Sequence, residues 1–427
     1  MEEKNKQSGK AAKIVKITVA SIACLVLLLS LTVVVWWSIA GVETWDEGVT
    51  LVVKLFTPKE NDVFYKDSYS VSDDKAFKNK DTVVGNVGGK PLTNGQLQIY
   101  YWTNIYDFLS NYGYEAMVDG LDYPEPLDQQ KCPYNGGTWQ QYFLSDALET
   151  WHKYQALALM AEADNYQLSE EGQNAIDNLR ENMEKNAKDN GFASVDEMIQ
   201  YDMGGGCNFD DQKAYMETYI KGYLYFEDVY KKVDVSSAAL EKYFADHEAD
   251  LKKAGITKES GKTYAVRHIL IGVVGTEKDS DGKTVITETD WETCRQKAQK
   301  LLDEWLAGEH TEETFAEFTI KHSEDKDAYG NVNSNGIYTG LDKNTNFVQP
   351  FKDWYLDESR QVGDYGLVKT TYGYHIMYLS DREEKWEAQC RKGILSDAAA
   401  AVLKKATDTY TMEVDYKKIM LAVVELG

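Results

Sequence analysis

From Ile17 to Ala40 the chain reads ITVASIACLVLLLSLTVVVWWSIA, 24 residues without a charged side chain. At about 1.5 Å of rise per residue, a helix of that length crosses a hydrocarbon layer roughly 30 Å thick. Residues 17–40 are therefore predicted to form a transmembrane helix. The 16 residues before it carry five lysines against two glutamates, and the positive-inside bias assigns residues 1–16 to the cytoplasm and everything after Ala40 to the outside. Ser38 and Ala40 would suit a cleavage site, but the apolar region of a signal peptide is only about 7 to 15 residues long. The expectation is an uncleaved single-pass anchor in the cell membrane. Cys24 lies inside the apolar run rather than just after a short one, which argues against a lipoprotein.

Removing the +3 of residues 1–16 from the net charge of −24 leaves −27 on the remainder. That excludes nucleic acid as a partner of the outer part, because phosphate binding needs clustered Lys and Arg. Four cysteines follow the anchor, Cys132, Cys207, Cys294 and Cys390, with no CxxC pair to suggest a zinc or thioredoxin-like site. Cys132 and Cys207 fall in loop-like stretches, and an oxidising exterior permits a bond between them. Four cysteines allow three connectivities, and sequence does not choose.

Residues 41–81 are polar and mixed in charge, a spacer with at most weak strands. Residues 82–255 read as a mainly helical domain. A short apolar run, a Gly88-Gly89 turn and a helix start at Asn94 open it. Trp139, Phe143, Trp151, Tyr154 and Leu157 then recur at spacings near three to four, as one buried helix face requires. His152 flanks that face and is expected to be exposed. Further helices are predicted from Ser169 to a stop at Gly191, over residues 210–233, and after a cap at Ser236 or Ser237. The many aromatic residues are assigned to the core rather than to a client-binding surface.

The pattern changes at Tyr264. YAVRHILIGVV alternates like a strand, residues 291–308 and 311–323 read as helices, and a glycine-rich loop follows. Two strands are predicted around Tyr372-Gly373. Residues 262–382 thus form an α+β unit, and residues 383–427 return to helix. One position stands out: in TTYGYHIMYLS the alternation spends an inward site on His375.

Four segments in order, RHILI (267–271), FAEFTIKHSED (315–325), FVQPFKDW (347–354) and GLVKTTYGYHIMYLSD (366–381), resemble the parvulin family of peptidyl-prolyl isomerases. On either side, VVGNVGGKPLTNGQL and VSSAALEKYFADHEADL resemble the helical chaperone module of the PrsA-type and SurA-type extracytoplasmic foldases. The resemblance implies an α+β parvulin-like domain, an antiparallel four-stranded sheet with surrounding helices. That domain is inserted in, or follows, a mainly α-helical chaperone domain, onto which residues 383–427 pack back. It implies that His268 and His375 stand side by side on neighbouring strands, hydrogen-bonded to each other. Asp325 matches a position held by cysteine or aspartate, and Thr370 the threonine of the same polar network. Phe347 and Phe351 match the apolar wall of the proline pocket, while Tyr338 stands where leucine or a similar side chain is usual. The family's GGDLG-like turn appears as NGIYTG, Asn335 to Gly340.

The implied chemistry suits these residue types. Rotation about an X-Pro bond faces a barrier of roughly 20 kcal/mol from amide resonance, yet no bond need break. A site accelerates it by gripping the proline in an apolar slot and favouring the twisted amide over either planar form. Phosphate-directed parvulins use a basic loop after the first strand, whereas Val273–Asp290 holds five acids and two lysines, so phosphate specificity is not expected. Glu277, Asp279, Asp281, Gly282 and Glu288 nearly fit a calcium loop, but the first ligand is Glu and an Asp-Gly hairpin explains the stretch more simply. No cofactor or metal is implied. DHEAD at 246–250 lacks a second zinc-protease histidine, and neither a GxSxG elbow nor a phosphate-binding glycine loop is present.

The expectation is an extracytoplasmic folding factor that binds unfolded or newly secreted polypeptides and isomerises their X-Pro bonds. It meets the membrane through its anchor, and a homodimer stands open as its assembly. Two readings compete: a non-catalytic holdase with a degenerate parvulin domain, and an adhesion or receptor ectodomain. Aggregation suppression without isomerisation would select the first, and absence of both the second.

Overall fold

The computed structural model describes residues 70–71, 78–118, 120–122, 126–326 and 332–421. No helix among them is long and apolar enough to cross a membrane; residues 1–16 and the Ile17–Ala40 run lie outside the described residues. The described chain divides into two units, the first of residues up to 233 together with 396–421, the second of residues 234–395.

The first unit opens with β1 (Ser70–Val71), β2 (Val83–Val87) and β3 (Lys90–Thr93). Gly88 and Gly89, at φ of 56° and 85°, make the tight turn between antiparallel β2 and β3, a left-handed conformation that favours glycine. Six helices follow: α1 (Asn94–Val118), α2 (Trp139–Ala163), α3 (Glu170–Asp177), α4 (Leu179–Asp189), α5 (Val195–Met203) and α6 (Phe209–Tyr230). Thr138 and Gln141 cap α2 reciprocally, satisfying two of its free amide groups. The predicted stripe of Trp139, Phe143 and Trp151 lies in a core shared with Tyr100, Tyr101, Trp102 and Tyr215. α6 runs so close to α2 that a Cβ on Gly222 would stand 2.6 Å from the Tyr154 carbonyl oxygen.

Several local expectations change. The single helix predicted from Ser169 to Gly191 is two, because the Asn178 amide donates to both Asn174 O and Ile176 O and its ψ of 0° ends α3. Residues 195–203, which carried no prediction, form α5 behind the Ser194 cap. His152 is half-buried rather than exposed, its Nε2 2.7 Å from the Tyr410 carbonyl oxygen. Cys207 is a buried thiol with Sγ 3.7 Å from Gly95 O and 3.8 Å from Met203 O, so the Cys132–Cys207 bond that the sequence permits is not formed.

The second unit begins with α7 (Ser237–Lys253), capped by Ser236. β4 (Lys262–Gly272), the hairpin strands β5 (Glu277–Lys278) and β6 (Thr284–Val285), α8 (Glu288–Leu306), α9 (Glu312–His322) and β7 (Ile337–Leu341) come next. α10 (Gln349–Leu356), β8 (Tyr365–Lys369) and β9 (Gly373–Glu384) complete its sheet. α11 (Lys385–Thr409) begins in this unit and ends in the first. The sheet has the order β7-β4-β9-β8, antiparallel throughout. Strand alternation gives it two apolar faces. Ile269, Ile271, Ile376 and Tyr378 pack with Cys294, Ala298 and Trp305 of α8 and Phe315 of α9, while Val266, Met377, Leu379 and Val368 pack with Phe351, Trp354 and Tyr355 of α10. In the β5–β6 hairpin, Asp279 Oδ1 accepts from the Asp281 and Lys283 amides and Gly282 sits at φ 77°. Among the described residues no group of three His, Cys, Asp or Glu side chains could hold a metal.

The chain then closes the first unit. β10 (Met412–Val414) adds antiparallel to β2, and β11 (Met420–Leu421) pairs in parallel with β1, which lies in the stretch read as a spacer.

Candidate active site

On β4 and β9, Leu270 faces His375 and His268 faces Met377. The two histidines are thus diagonal neighbours on one side of the sheet, within reach of each other. β7 adds a third side chain, since Tyr338 faces Val266 and so stands diagonal to His268 on the same side. Asp325 arrives from the end of α9. Ser323 Oγ accepts from the Leu270 and Asp325 amides at 3.2 and 3.3 Å, and the Glu324 amide donates to Leu270 O at 2.8 Å, which pins this segment along β4. α10, with proline in its first turn, presents Phe351, and the segment leading into it carries Phe347, the two rings stacked at 4.8 Å.

A polar chain results. Thr370 Oγ1 lies 2.9 Å from His375 Nε2, His375 Nδ1 lies 3.1 Å from His268 Nδ1, and His268 Nε2 lies 3.2 Å from Asp325 Oδ2. The last approach is oblique, leaving Nε2 short of a well-aligned hydrogen bond, so that contact is mainly electrostatic. A carboxylate only accepts, which sets the direction of the chain. Thr370 donates to His375 Nε2, His375 Nδ1–H donates to His268 Nδ1, and His268 turns Nε2–H toward Asp325. This tautomer assignment follows from the partners, since hydrogens are not seen.

Charge agrees with that direction. The His268 contact is the largest influence holding the Asp325 carboxyl at about 2, and donation by Asn333 and Tyr338 outweighs with it the opposing effect of burial. Burial, then the neighbouring imidazole of His268, lowers His375 to about 3 against the pull of Asp325, so His375 is neutral at pH 7. Burial and the Asp325 charge push the Tyr338 phenol up.

Beside this chain lies an aromatic wall. Phe351 is buried and meets His268 and His375 edge-on at 5.3 and 5.4 Å; Phe347 and Tyr338, both half-buried, meet each other at 5.1 Å. All seven residues singled out in the sequence therefore come together. Two features were not foreseen. Asn333 donates from Nδ2 to Asp325 Oδ1 at 2.8 Å, and Tyr338, taken as apolar wall, donates its hydroxyl to Asp325 Oδ2 at 3.0 Å. Asn333 sits in the polar loop before β7, where no periodicity marks it; for Tyr338 the hydroxyl where leucine is usual was the available signal.

Residues 249–383 match the family model described as the PPIC-type PPIase domain. This segment is a parvulin-type PPIase domain. All the residues of the polar chain and the wall fall inside the parvulin domain, as do Asn333 and the four strands of its sheet apart from the last residue of β9. No curated protein matches the chain. Among solved structures, PrsA from Bacillus subtilis aligns at 16% identity over 67% of this chain and 93% of its own, with a TM-score of 0.28. A chain from work on two SurA-like chaperones of Campylobacter jejuni, PEB4 and Cj1289, aligns at 16% identity over 77% and 94%, with a TM-score of 0.21. The foldase protein PrsA from Streptococcus pneumoniae aligns at 14% identity over 60% and 81%, with a TM-score of 0.20. TM-scores this low do not establish a common overall arrangement.

Proposed function

We propose that this protein is a membrane-anchored extracytoplasmic folding factor whose parvulin domain isomerises X-Pro bonds in unfolded polypeptides and whose helical unit holds them. The observation that carries the catalytic part is the Thr370–His375–His268–Asp325 chain lying against Phe351 and Tyr338. Prolyl rotation needs no nucleophile. It needs a slot for the pyrrolidine ring and an environment that favours an amide out of conjugation. Phe347, Phe351 and Tyr338 supply the slot; the imidazole pair and the Asp325 carboxylate set the field at its edge.

Selectivity for phosphorylated residues is absent from this reading. The loop after β4 holds Glu277, Asp279, Asp281, Glu288 and Asp290 against Lys278 and Lys283, a net charge that repels a phosphate dianion. The anchor and the outside placement rest on the Ile17–Ala40 run and the lysines before it.

The test is cis/trans isomerisation of an unphosphorylated X-Pro peptide by the full chain, beside His268→Ala and His375→Ala. Acceleration by the wild type, reduced about a hundredfold in both variants, is the expected outcome. No acceleration by a folded wild type would sink the catalytic reading and leave a holdase.

A further inference from the structure

We propose that Tyr338 is a positioning residue that ties the proline wall to the acid–imidazole chain by fixing the Asp325 carboxylate through its hydroxyl. The proposal rests on the isomerase reading and assigns this residue a second role within it. Its ring and its hydroxyl do different things. The ring is one side of the wall, stacked on His268 at 5.3 Å with 28° between planes and edge-on to Phe347 at 5.1 Å. The hydroxyl lies 3.0 Å from Asp325 Oδ2.

Two groups converge on that one oxygen, the Tyr338 hydroxyl and His268 Nε2, while Oδ1 is taken by Asn333. The phenol forms the aligned hydrogen bond and the imidazole approaches obliquely. Tyr338 thereby keeps the carboxylate from turning into line with His268, and His268 stays within 3.1 Å of His375. Without the hydroxyl, the carboxylate, still held at Oδ1 by Asn333, turns Oδ2 further into line with His268 Nε2–H. That draws the imidazole from its partner and moves the charge from its place beside the bound amide. A residue acting this way changes turnover more than ground-state binding.

Tyr338→Phe keeps the ring and removes the hydroxyl; Tyr338→Leu removes both. In the full chain, Tyr338→Phe is expected to lower kcat for an X-Pro peptide about tenfold, the worth of one hydrogen bond to a charged group, with KM within about twofold. Tyr338→Leu is expected to raise KM as well. Because the hydroxyl acts through Asp325, Tyr338→Phe added to Asp325→Ala is expected to lose nothing further. The chain has six histidines, so ring nitrogen-15 signals offer a readout independent of activity. In Tyr338→Phe those of His268 and His375 are expected to shift while those of His152, His247 and His310 stay, which also reports an intact fold. Unmoved His268 signals, an unchanged kcat, or losses that add in the double variant would each overturn the proposal. A wild type inactive on the peptide would instead refute the isomerase reading, and the nitrogen signals would still decide the role of Tyr338.

Discussion

Two imidazole nitrogens can approach to 3.1 Å only if one of them carries the proton between them, and at His375 burial decides how many protons the pair holds. Held at about 3, His375 lies below the roughly 6.5 of an imidazole in an unfolded chain. As pH falls, unfolded molecules therefore take up the proton first. Stability present above pH 6.5 is lost between about 6.5 and 3, at about 1.4 kcal/mol per pH unit. Asp325 works in the same direction but lower, between its ordinary value near 3.9 and about 2. From pH 6.5 to 4.5 His375 acts without it and is expected to contribute a loss of about 2 kcal/mol. Denaturant titrations followed by tryptophan fluorescence should show that contribution as a difference between the two proteins, the pH dependence of stability in His375→Gln lacking the loss that His375 gives the wild type. Equal pH dependence in both proteins would mean that His375 is not buried and neutral.

Elements meet tightly at Gly336, in the turn that delivers β7. Its φ is 73°, and a Cβ there would stand 2.0 Å from Thr319 Cγ2 of α9 and 3.0 Å from the His268 carbonyl oxygen. Gly336→Ala is expected to cost about 2 to 4 kcal/mol through backbone strain and overlap, and to lower activity by displacing Asn333 and Tyr338 on either side. Thermal melting with the peptide assay checks both, and a wild-type melting point would contradict the crowding. The surrounding elements differed in how legible they were. β4 and β9 alternate over long runs, and α8 and α9 keep a helical period, so periodicity alone predicted them. β7 is five residues, IYTGL, without alternation, and α10 is eight, QPFKDWYL; both fell within a stretch read as loop. For the site, the family resemblance named the side chains that meet, but the Tyr338–Asp325 hydrogen bond depends on strand register, which a motif does not carry.

At the scale of the molecule, the first unit is made from two stretches of chain, one up to residue 233 and one from 396, and Asn94 joins them by bonds that span more than 300 residues. In sequence it is only a helix-start residue. In the fold it is 2% exposed; its Nδ2 donates to Asn79 O at 3.1 Å and Lys418 O at 3.0 Å, and its Oδ1 accepts from the Met420 amide at 2.9 Å. No periodic signal could have shown this, because the partners are backbone groups supplied by distant turns. Ile419 and Leu421, on either side of Met420, are fully buried in the core of that unit, and the Asp415 amide donates to Val84 O. The returning segment thus shares the core rather than covering it. Asn94→Ala removes three hydrogen bonds to backbone groups, of which Asn79 O keeps the Thr82 amide, a loss of about 2 to 4 kcal/mol. Hydrogen exchange in the full chain should show the Met420 amide and the β10–β2 amides losing protection together, since one side chain holds the segment to α1. If Met420 alone exchanges faster while β10 keeps its protection, the strand pairing rather than Asn94 closes the unit.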